Sequence, residues 1–475
     1  MWAHTGVGVS VPALVIAAPA SGSGKTTVAT GLMGALRRAG HRTAPFKVGP
    51  DFIDPGYHAL AALRPGRNLD PVLVGERLIG PLYRHGSAGA DIAVIEGVMG
   101  LFDGRISDDS GGTAQGSTAH IAAMLGAPVI LVVDARGQSQ SIAALLYGFS
   151  TFDHPPQAAG APTVRIAGVI LNRVGSLRHE QVLRQACEHV GVPVYGAIPR
   201  ADELSVPSRH LGLVTAVEHG EQARVAVEAM TGLVGRHVDV AGIAAVAASR
   251  VTDEPWDPAI AAPTASNVTV ALAAGKAFSF GYTEHGELLR AAGADVVEFD
   301  PLADPLPPRT AALVLPGGFP EQFSTDLSTN DAVRQQIRDL AVGGAPIHAE
   351  CAGLTYLVDD LEGYPMCGVL SGSARFTDRL TLGYREAVAV ADSPLHAIGE
   401  RAMGHEFHRT TVTFADSYAP AWVYAGRHVA EVRDGAVDRG VHASYLHTHP
   451  AAHPQAVTRF VAAAESRFSS SRRNL

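Results

Sequence analysis

The sequence predicts two α/β domains in tandem, each built on a largely parallel sheet. Three observations carry that expectation: short apolar, β-branched runs alternate with helical segments in both halves, a glycine-rich loop follows the first run, and a cysteine follows the last strand of the second series. A length of 475 residues corresponds to about three average domains or two large ones. With 47% hydrophobic and 17% charged residues, and with 51 Gly and 30 Pro, the chain reads as a globular enzyme with many short connections. Disordered, collagenous and coiled-coil classes are excluded.

Residues 13–17, 91–95, 128–133 and 166–171 read as buried parallel strands, and residues 25–38 as a helix closed by Gly40. They make up a first domain over 11–215. From 216 to 265 the pattern weakens and ends in a stretch with three prolines over 252–265, which predicts a linker. A second alternating series at 268–273, 295–299, 311–315 and 346–350 predicts a second domain over 266–470, with a frayed Ser- and Arg-rich tail from 465. Apolar stretches such as 127–133 fall well short of the roughly 20 residues of a membrane span, and residues 1–10 lack the basic charge of an export signal. The net charge of −9 offers no long-range attraction for nucleic acid or anionic membrane. Three cysteines, Cys187, Cys351 and Cys367, make no disulfide or zinc framework, so a reducing cytoplasm is the expected compartment.

The run at 13–17 leads into Ala18-Pro-Ala-Ser-Gly-Ser-Gly-Lys-Thr-Thr27 and then a helix, the context of a phosphate-binding P-loop. Gly22, Ser23 and Gly24 turn backbone N–H groups toward phosphate oxygens, the helix start adds its positive end, Lys25 reaches the outer phosphates, and Thr26, followed by Thr27, ligates magnesium. Pro19 stands where the motif has its first glycine, which points to the dethiobiotin-synthetase-like branch of P-loop proteins. Glu96, at the carboxyl edge of the strand over 91–95, is a candidate magnesium ligand, or else a strand-end turn residue. Lys47, Asp51 and Asp54 combine a cation with two acids in a Gly/Pro-rich loop: a substrate or metal site, or tight turns. Asn172, after the strand over 166–171, is a candidate for reading an adenine edge.

In the second half Cys351 sits between a strand and a helical segment, on a sharp elbow. The helix end is expected to lower the thiol pKa, the N–H of Ala352 to face a developing oxyanion, and Gly318 in the Gly317-Gly-Phe-Pro-Glu321 turn to supply a second N–H. A base should follow, and His447 and His449 are expected on one face of a strand 96 residues beyond the cysteine. A buried cysteine without that context would be an inert core residue, the reading kept for Cys187 and Cys367. The histidines at 405, 408, 442, 447, 449 and 453 could alternatively bind metal, although no cysteine or carboxylate falls at zinc-site spacing among them.

Together these segments (Ser21-Gly-Ser-Gly-Lys-Thr-Thr27, Lys47-Val-Gly-Pro-Asp-Phe-Ile-Asp-Pro-Gly-Tyr-His58, Glu96-Gly-Val-Met-Gly-Leu-Phe-Asp-Gly104, Gly317-Gly-Phe-Pro-Glu321, Ala349-Glu-Cys-Ala-Gly353 and Ser444-Tyr-Leu-His447) resemble, in order and over about residues 11–465, the cobyrinic or hydrogenobyrinic acid a,c-diamide synthases. The resemblance implies a P-loop domain followed by a flavodoxin-like class I glutamine amidotransferase domain. It also implies a ligase of cobalamin biosynthesis that uses ATP, Mg2+ and L-glutamine to amidate two acetate side chains of a corrin polycarboxylic acid. On that resemblance Cys351 attacks the glutamine amide with His447 as base, while ATP converts a substrate carboxylate to an acyl phosphate that ammonia then aminates. The position two residues beyond the histidine, commonly Glu in class I amidotransferases, is His449 here. That departure implies a Cys-His dyad and leaves the group that orients His447 unidentified.

A related tetrapyrrole such as sirohydrochlorin is an alternative substrate, and a ParA-like ATPase with a non-catalytic second domain is an alternative function. A homodimer is the default expectation for any assembly.

Overall fold

The computed structural model describes residues 10–106, 114–152, 164–200, 214–262, 266–426 and 430–473. The first nine residues, residues 263–265 of the expected linker and the last two residues lie outside them. The chain divides into two compact units, Met1–Trp256 and Asp257–Leu475.

The first unit runs β1 (Ala13–Ala17), α1 (Lys25–Arg38), β2 (Thr43–Val48), α2 (Asp54–Ala62), β3 (Arg67–Leu69), α3 (Ile79–Ser87), β4 (Ile92–Glu96), α4 (Thr118–Leu125), β5 (Val129–Asp134), α5 (Ile142–Thr151), β6 (Ile166–Val174), α6 (Leu177–His189), β7 (Val194–Pro199), α7 (Ala216–His219), α8 (Glu221–His237) and α9 (Val240–Val246). Its seven strands pair in parallel in the order β3-β2-β4-β1-β5-β6-β7. Both faces of β1 are covered, and all five of its side chains are buried. A strand with no wet face can read only as a continuous apolar run, which explains why these strands were visible in sequence.

The expected linker over 216–265 is instead helical along most of its length, and its part up to Trp256 belongs to the first unit. Helix α8 buries Ala223, Val227, Met230 and Val234 at helical spacing. It lies so close to α1 that a Cβ built on Gly31 would meet the Met230 carbonyl oxygen at 2.5 Å. Runs of Ala, Val and Gly give little contrast between faces, so this amphipathic stripe was weak in sequence.

The second unit runs α10 (Pro258–Ala261), β8 (Thr269–Ala273), α11 (Thr283–Ala291), β9 (Asp295–Phe299), β10 (Thr310–Leu315), α12 (Ser324–Thr329), α13 (Asp331–Val342), β11 (Ile347–Glu350), α14 (Ala352–Leu357), β12 (Val358–Leu361), β13 (Tyr364–Pro365), β14 (Leu370–Ala389), β15 (Arg401–Phe414), β16 (Trp422–Tyr424), β17 (Val432–Asp434), β18 (Ala436–Asp438), β19 (Val441–Ser444), β20 (His447–Thr448) and α15 (Pro454–Arg473). One sheet has the order β18-β19-β11-β10-β8-β9, parallel except at the β18 edge. Counted within the unit, its parallel strands follow the flavodoxin-like order 2-1-3-4-5. A second sheet of seven strands, centred on the long antiparallel pair β14 and β15, lies outside the sequence-based expectation. Its strands mix exposed polar and buried apolar positions and carry a bulge between Phe376 and Thr381, so they offer neither a buried run nor a clean alternation. The tail expected to fray from 465 continues as helix to Arg473.

If the α1–α8 contact holds the first unit together, Gly31→Ala lowers stability by about 1–3 kcal/mol through overpacking against backbone. Gly235→Ala on the same α8, where an added Cβ meets nothing within 4 Å, is expected to be neutral or to stabilise by about 0.5–1 kcal/mol. Urea unfolding midpoints of the two variants check both signs.

Candidate active sites

The first site forms at the carboxyl ends of β1, β2 and β4. Gly22 and Gly24 have φ of 79° and 96°, in the left-handed region that bends the loop around its own N–H groups. Helix α1 starts at Lys25 with no side-chain cap, so its first N–H groups face the loop. Lys25 is buried and its Nζ donates to the Met99 carbonyl at 2.5 Å. Burial and the Lys47 charge lower its pKa.

Lys47 and Glu96 stand in register on adjacent strands. The Lys47 ammonium donates to Asp54 Oδ2 at 2.7 Å, Glu96 Oε1 at 3.0 Å and the Gly97 carbonyl at 3.2 Å. The Thr26 hydroxyl donates to Glu96 Oε1 at 2.7 Å, with Asp54 Oδ2 at 3.4 Å. Burial works against the Lys47 charge, yet Asp54, Glu96 and Asp51 together raise its pKa. Burial would also raise Glu96, but Lys47 and the bond to His58 outweigh it and hold that carboxyl low. For Asp54, burial and the neighbouring Asp51 and Glu96 charges prevail, and its pKa goes up. The structure thus gathers Thr26, Asp54 and Glu96, all hard oxygen donors of the kind magnesium takes.

Asp51 borders this group. Its Oδ1 accepts from the N–H groups of Ile53 and Asp54 at the start of α2, and its Oδ2 lies 3.9 Å from Lys47 Nζ, which is the turn-capping role weighed against ligation. Asn172, the expected adenine reader, lies against the phosphate loop. Its Nδ2 donates to the Ser23 carbonyl at 2.9 Å and its Oδ1 accepts from the Arg173 N–H, so the amide braces the phosphate loop from behind. Sequence reasoning passed over His58, whose Nε2 lies 2.6 Å from Glu96 Oε2. The available signal was its place one helical turn after Asp54 on α2.

The second site forms where β11 meets α14. Cys351 has φ 50° and ψ −96°, a strained geometry for a residue with a side chain, and it is nearly inaccessible. Its thiol donates to the Phe407 carbonyl at 3.8 Å, and the N–H groups of Ala352 and Gly318 both point at the sulfur. The expected lowering of the thiol pKa is not what the structure produces. Burial and the Glu321 charge raise it, and the two N–H groups only partly offset them. A six-residue α14 brings too little dipole to reverse that desolvation.

His447 is fully buried in β20, in register with His405 of β15. It approaches so near Gly317 that a Cβ there would collide with the imidazole, which explains the glycine. His449 does not share its strand face. It lies beyond β20, its Nδ1 accepts from the Ala451 N–H, and its ring packs against Tyr282 at 4.2 Å. Among the described residues no group of three or more His, Cys, Asp or Glu side chains is arranged to hold a metal ion unaided.

Residues 14–214 match the CobQ/CobB/MinD/ParA nucleotide binding domain and residues 269–455 the CobB/CobQ-like glutamine amidotransferase domain. The hydrogenobyrinate a,c-diamide synthase of Mycobacterium bovis is 71% identical over 454 residues, covering 95% of this chain and 98% of its own. This chain belongs to the a,c-diamide synthase family. The synthase of that name from Streptomyces coelicolor is 51% identical over 489 residues (96% and 98% covered), and the cobyrinate a,c-diamide synthase of a Synechococcus strain is 38% identical over 473 (97% and 100%). No helix among the described residues is long and apolar enough to cross a membrane.

Lys47→Met leaves Asp54 and Glu96 buried without their counter-charge and is expected to destabilise the first unit by about 3–5 kcal/mol. Unpaired buried carboxylates take up protons more readily when folded, so the loss should be largest at alkaline pH and shrink as pH falls. Denaturation at pH 8 and pH 6 checks this, and a deficit that grows on acidification contradicts the charge assignment.

Proposed function

We propose that this protein is a glutamine-dependent ligase that converts the a and c acetate carboxylates of hydrogenobyrinic acid to amides with ATP, in cobalamin biosynthesis. The observation that carries the reading is the presence, on one chain matched along nearly its whole length by a,c-diamide synthases, of both a P-loop and a cysteine elbow with two N–H groups aimed at the sulfur. The higher identity to relatives named for hydrogenobyrinate than for cobyrinate supports the metal-free substrate.

In the amidotransferase unit the Cys351 thiol gives its proton to His447 and the sulfur bonds to the glutamine amide carbon, with the oxyanion facing the N–H groups of Ala352 and Gly318. The carbon–nitrogen bond breaks as that proton passes to nitrogen. Ammonia leaves, and water cleaves the thioester to glutamate. A cavity of about 560 Å³ lined by Arg379, Arg385, Glu406 and Tyr445 offers charges of both signs for the amino-acid end of glutamine.

In the nucleotide unit a substrate carboxylate attacks the γ-phosphorus, ADP departs, and ammonia displaces phosphate from the acyl phosphate. Magnesium held by Thr26, Glu96 and Asp54 would neutralise phosphate charge. Lys25 supplies a fixed cation to the phosphates, and the burial that lowers its pKa also strips away the water that would screen it.

Cys351→Ala is expected to abolish glutamine-dependent amidation while concentrated ammonium salt restores product. Lys25→Ala should lower amidation with either nitrogen donor by roughly 10²–10³-fold, as for loss of one preorganised charge donor, and leave glutamine hydrolysis measurable. Product formation from metal-free and cobalt-containing acids, followed by mass spectrometry, tests the substrate. Turnover of the cobalt form alone would transfer the assignment to cobyrinic acid.

A further inference from the structure

A histidine that takes and returns a proton works best when a second group fixes its ring and offsets its charge. His449 is committed elsewhere, to the Ala451 N–H and the Tyr282 ring. Directly behind His447 stands another side chain. Glu350, the last residue of β11 and the neighbour of the nucleophile, places Oε2 3.6 Å from His447 Nδ1. Its Oε1 accepts from the Thr448 N–H at 3.1 Å and the Thr448 hydroxyl at 3.2 Å, the residue after His447.

The topology makes this approach unavoidable. Strand β11 runs parallel to β19, with Glu350 opposite Ser444, and three residues later the chain delivers His447 to the same strand ends. Cys351 turns the chain sharply from β11 into α14 with its thiol toward the Phe407 carbonyl, while Glu350 remains the last residue of the strand. The groups facing this pair include His348 on β11, with Nε2 3.4 Å from Glu350 Oε1, His442 opposite it on β19, His285 on α11 in ring contact with His348, and His405 on β15 in register with His447. None of these neighbours is a competing carboxylate. Burial would raise the Glu350 pKa, but the nearby His348 and His447 rings hold it well below the ordinary range, so the side chain is an anion where it faces His447.

We infer that Glu350 is the positioning residue of the amidotransferase unit, its carboxylate holding and charge-balancing His447 from the nucleophile's own strand. The inference rests on the reading of Cys351 and His447 as nucleophile and base. It replaces the dyad suggested by the sequence with a triad whose acid precedes the cysteine.

The test uses the full-length protein and the isosteric Glu350→Gln, whose amide oxygen can keep both Thr448 bonds but lacks the charge. The glutaminase kcat should fall by roughly 10²-fold, the scale of general acid–base assistance, with the KM for glutamine within about threefold and amidation from free ammonium unchanged. Glu350→Asp, which keeps the charge on a shorter stem, should recover part of the lost kcat. A wild-type kcat in Glu350→Gln overturns the inference, and so does an equal loss in Glu350→Asp and Glu350→Gln or a change confined to KM, since each would mean that the charge plays no part in turnover. If instead Cys351→Ala retains glutaminase, the underlying nucleophile assignment fails, an outcome separate from any result at position 350.

Discussion

Parallel strands covered on both faces can carry almost nothing but apolar side chains along their length, so polar chemistry is displaced to the loops at their carboxyl ends. Each unit here obeys that constraint. In the first, β1, β2 and β4 end in the phosphate loop, Lys47 and Glu96. In the second, β10 and β11 end in the Gly317–Gly318 turn and the Glu350–Cys351 pair. The two sites differ in reaction but share this geometric origin, and in both the strand register decides which polar groups can meet.

The units solve the electrostatic problem differently. The nucleotide unit buries formal charges and balances them against one another: Lys47 against Asp54 and Glu96, with Thr26 and His58 completing the carboxylate's bonds. Such a cluster costs solvation energy and persists only while its members remain together. The amidotransferase unit instead buries the Cys351 thiol, which raises its pKa, and sets backbone dipoles beside it. A buried thiol with raised pKa beside two aimed N–H groups is a site in which negative charge is disfavoured at rest and stabilised once it moves onto a substrate oxygen.

Backbone strain marks both sites. Cys351 and Met99 adopt positive φ although neither is glycine. The first presents a thiol at an elbow, and the second turns a carbonyl toward Lys25. Residues held in this way need neighbours that over-determine them. Close packing supplies that support at the cysteine, where Gly353 sits against the Leu315 carbonyl and Gly317 against His447.

The sequence by itself determined the two parallel sheets, the phosphate loop, the cysteine elbow and the family, because each is written in contiguous residues: a continuous apolar run, a glycine pair ahead of Lys25, a strand ending in Cys351. It could not determine contacts whose partners are distant in the chain. That Asp51 caps a turn while Asp54 and Glu96 meet Thr26 depends on which carboxylate α2 swings over the sheet. That 221–237 packs on α1 depends on Gly31, against Met230, and Gly34, against Thr231, nearly two hundred residues away. The second sheet over 358–448 was unreadable because its strands neither run apolar nor alternate cleanly. The acid behind His447 was hidden for a related reason. Glu350 stands beside Cys351 in the sequence, but only the parallel pairing of β11 with β19 brings a residue 97 positions before His447 to within 3.6 Å of its ring.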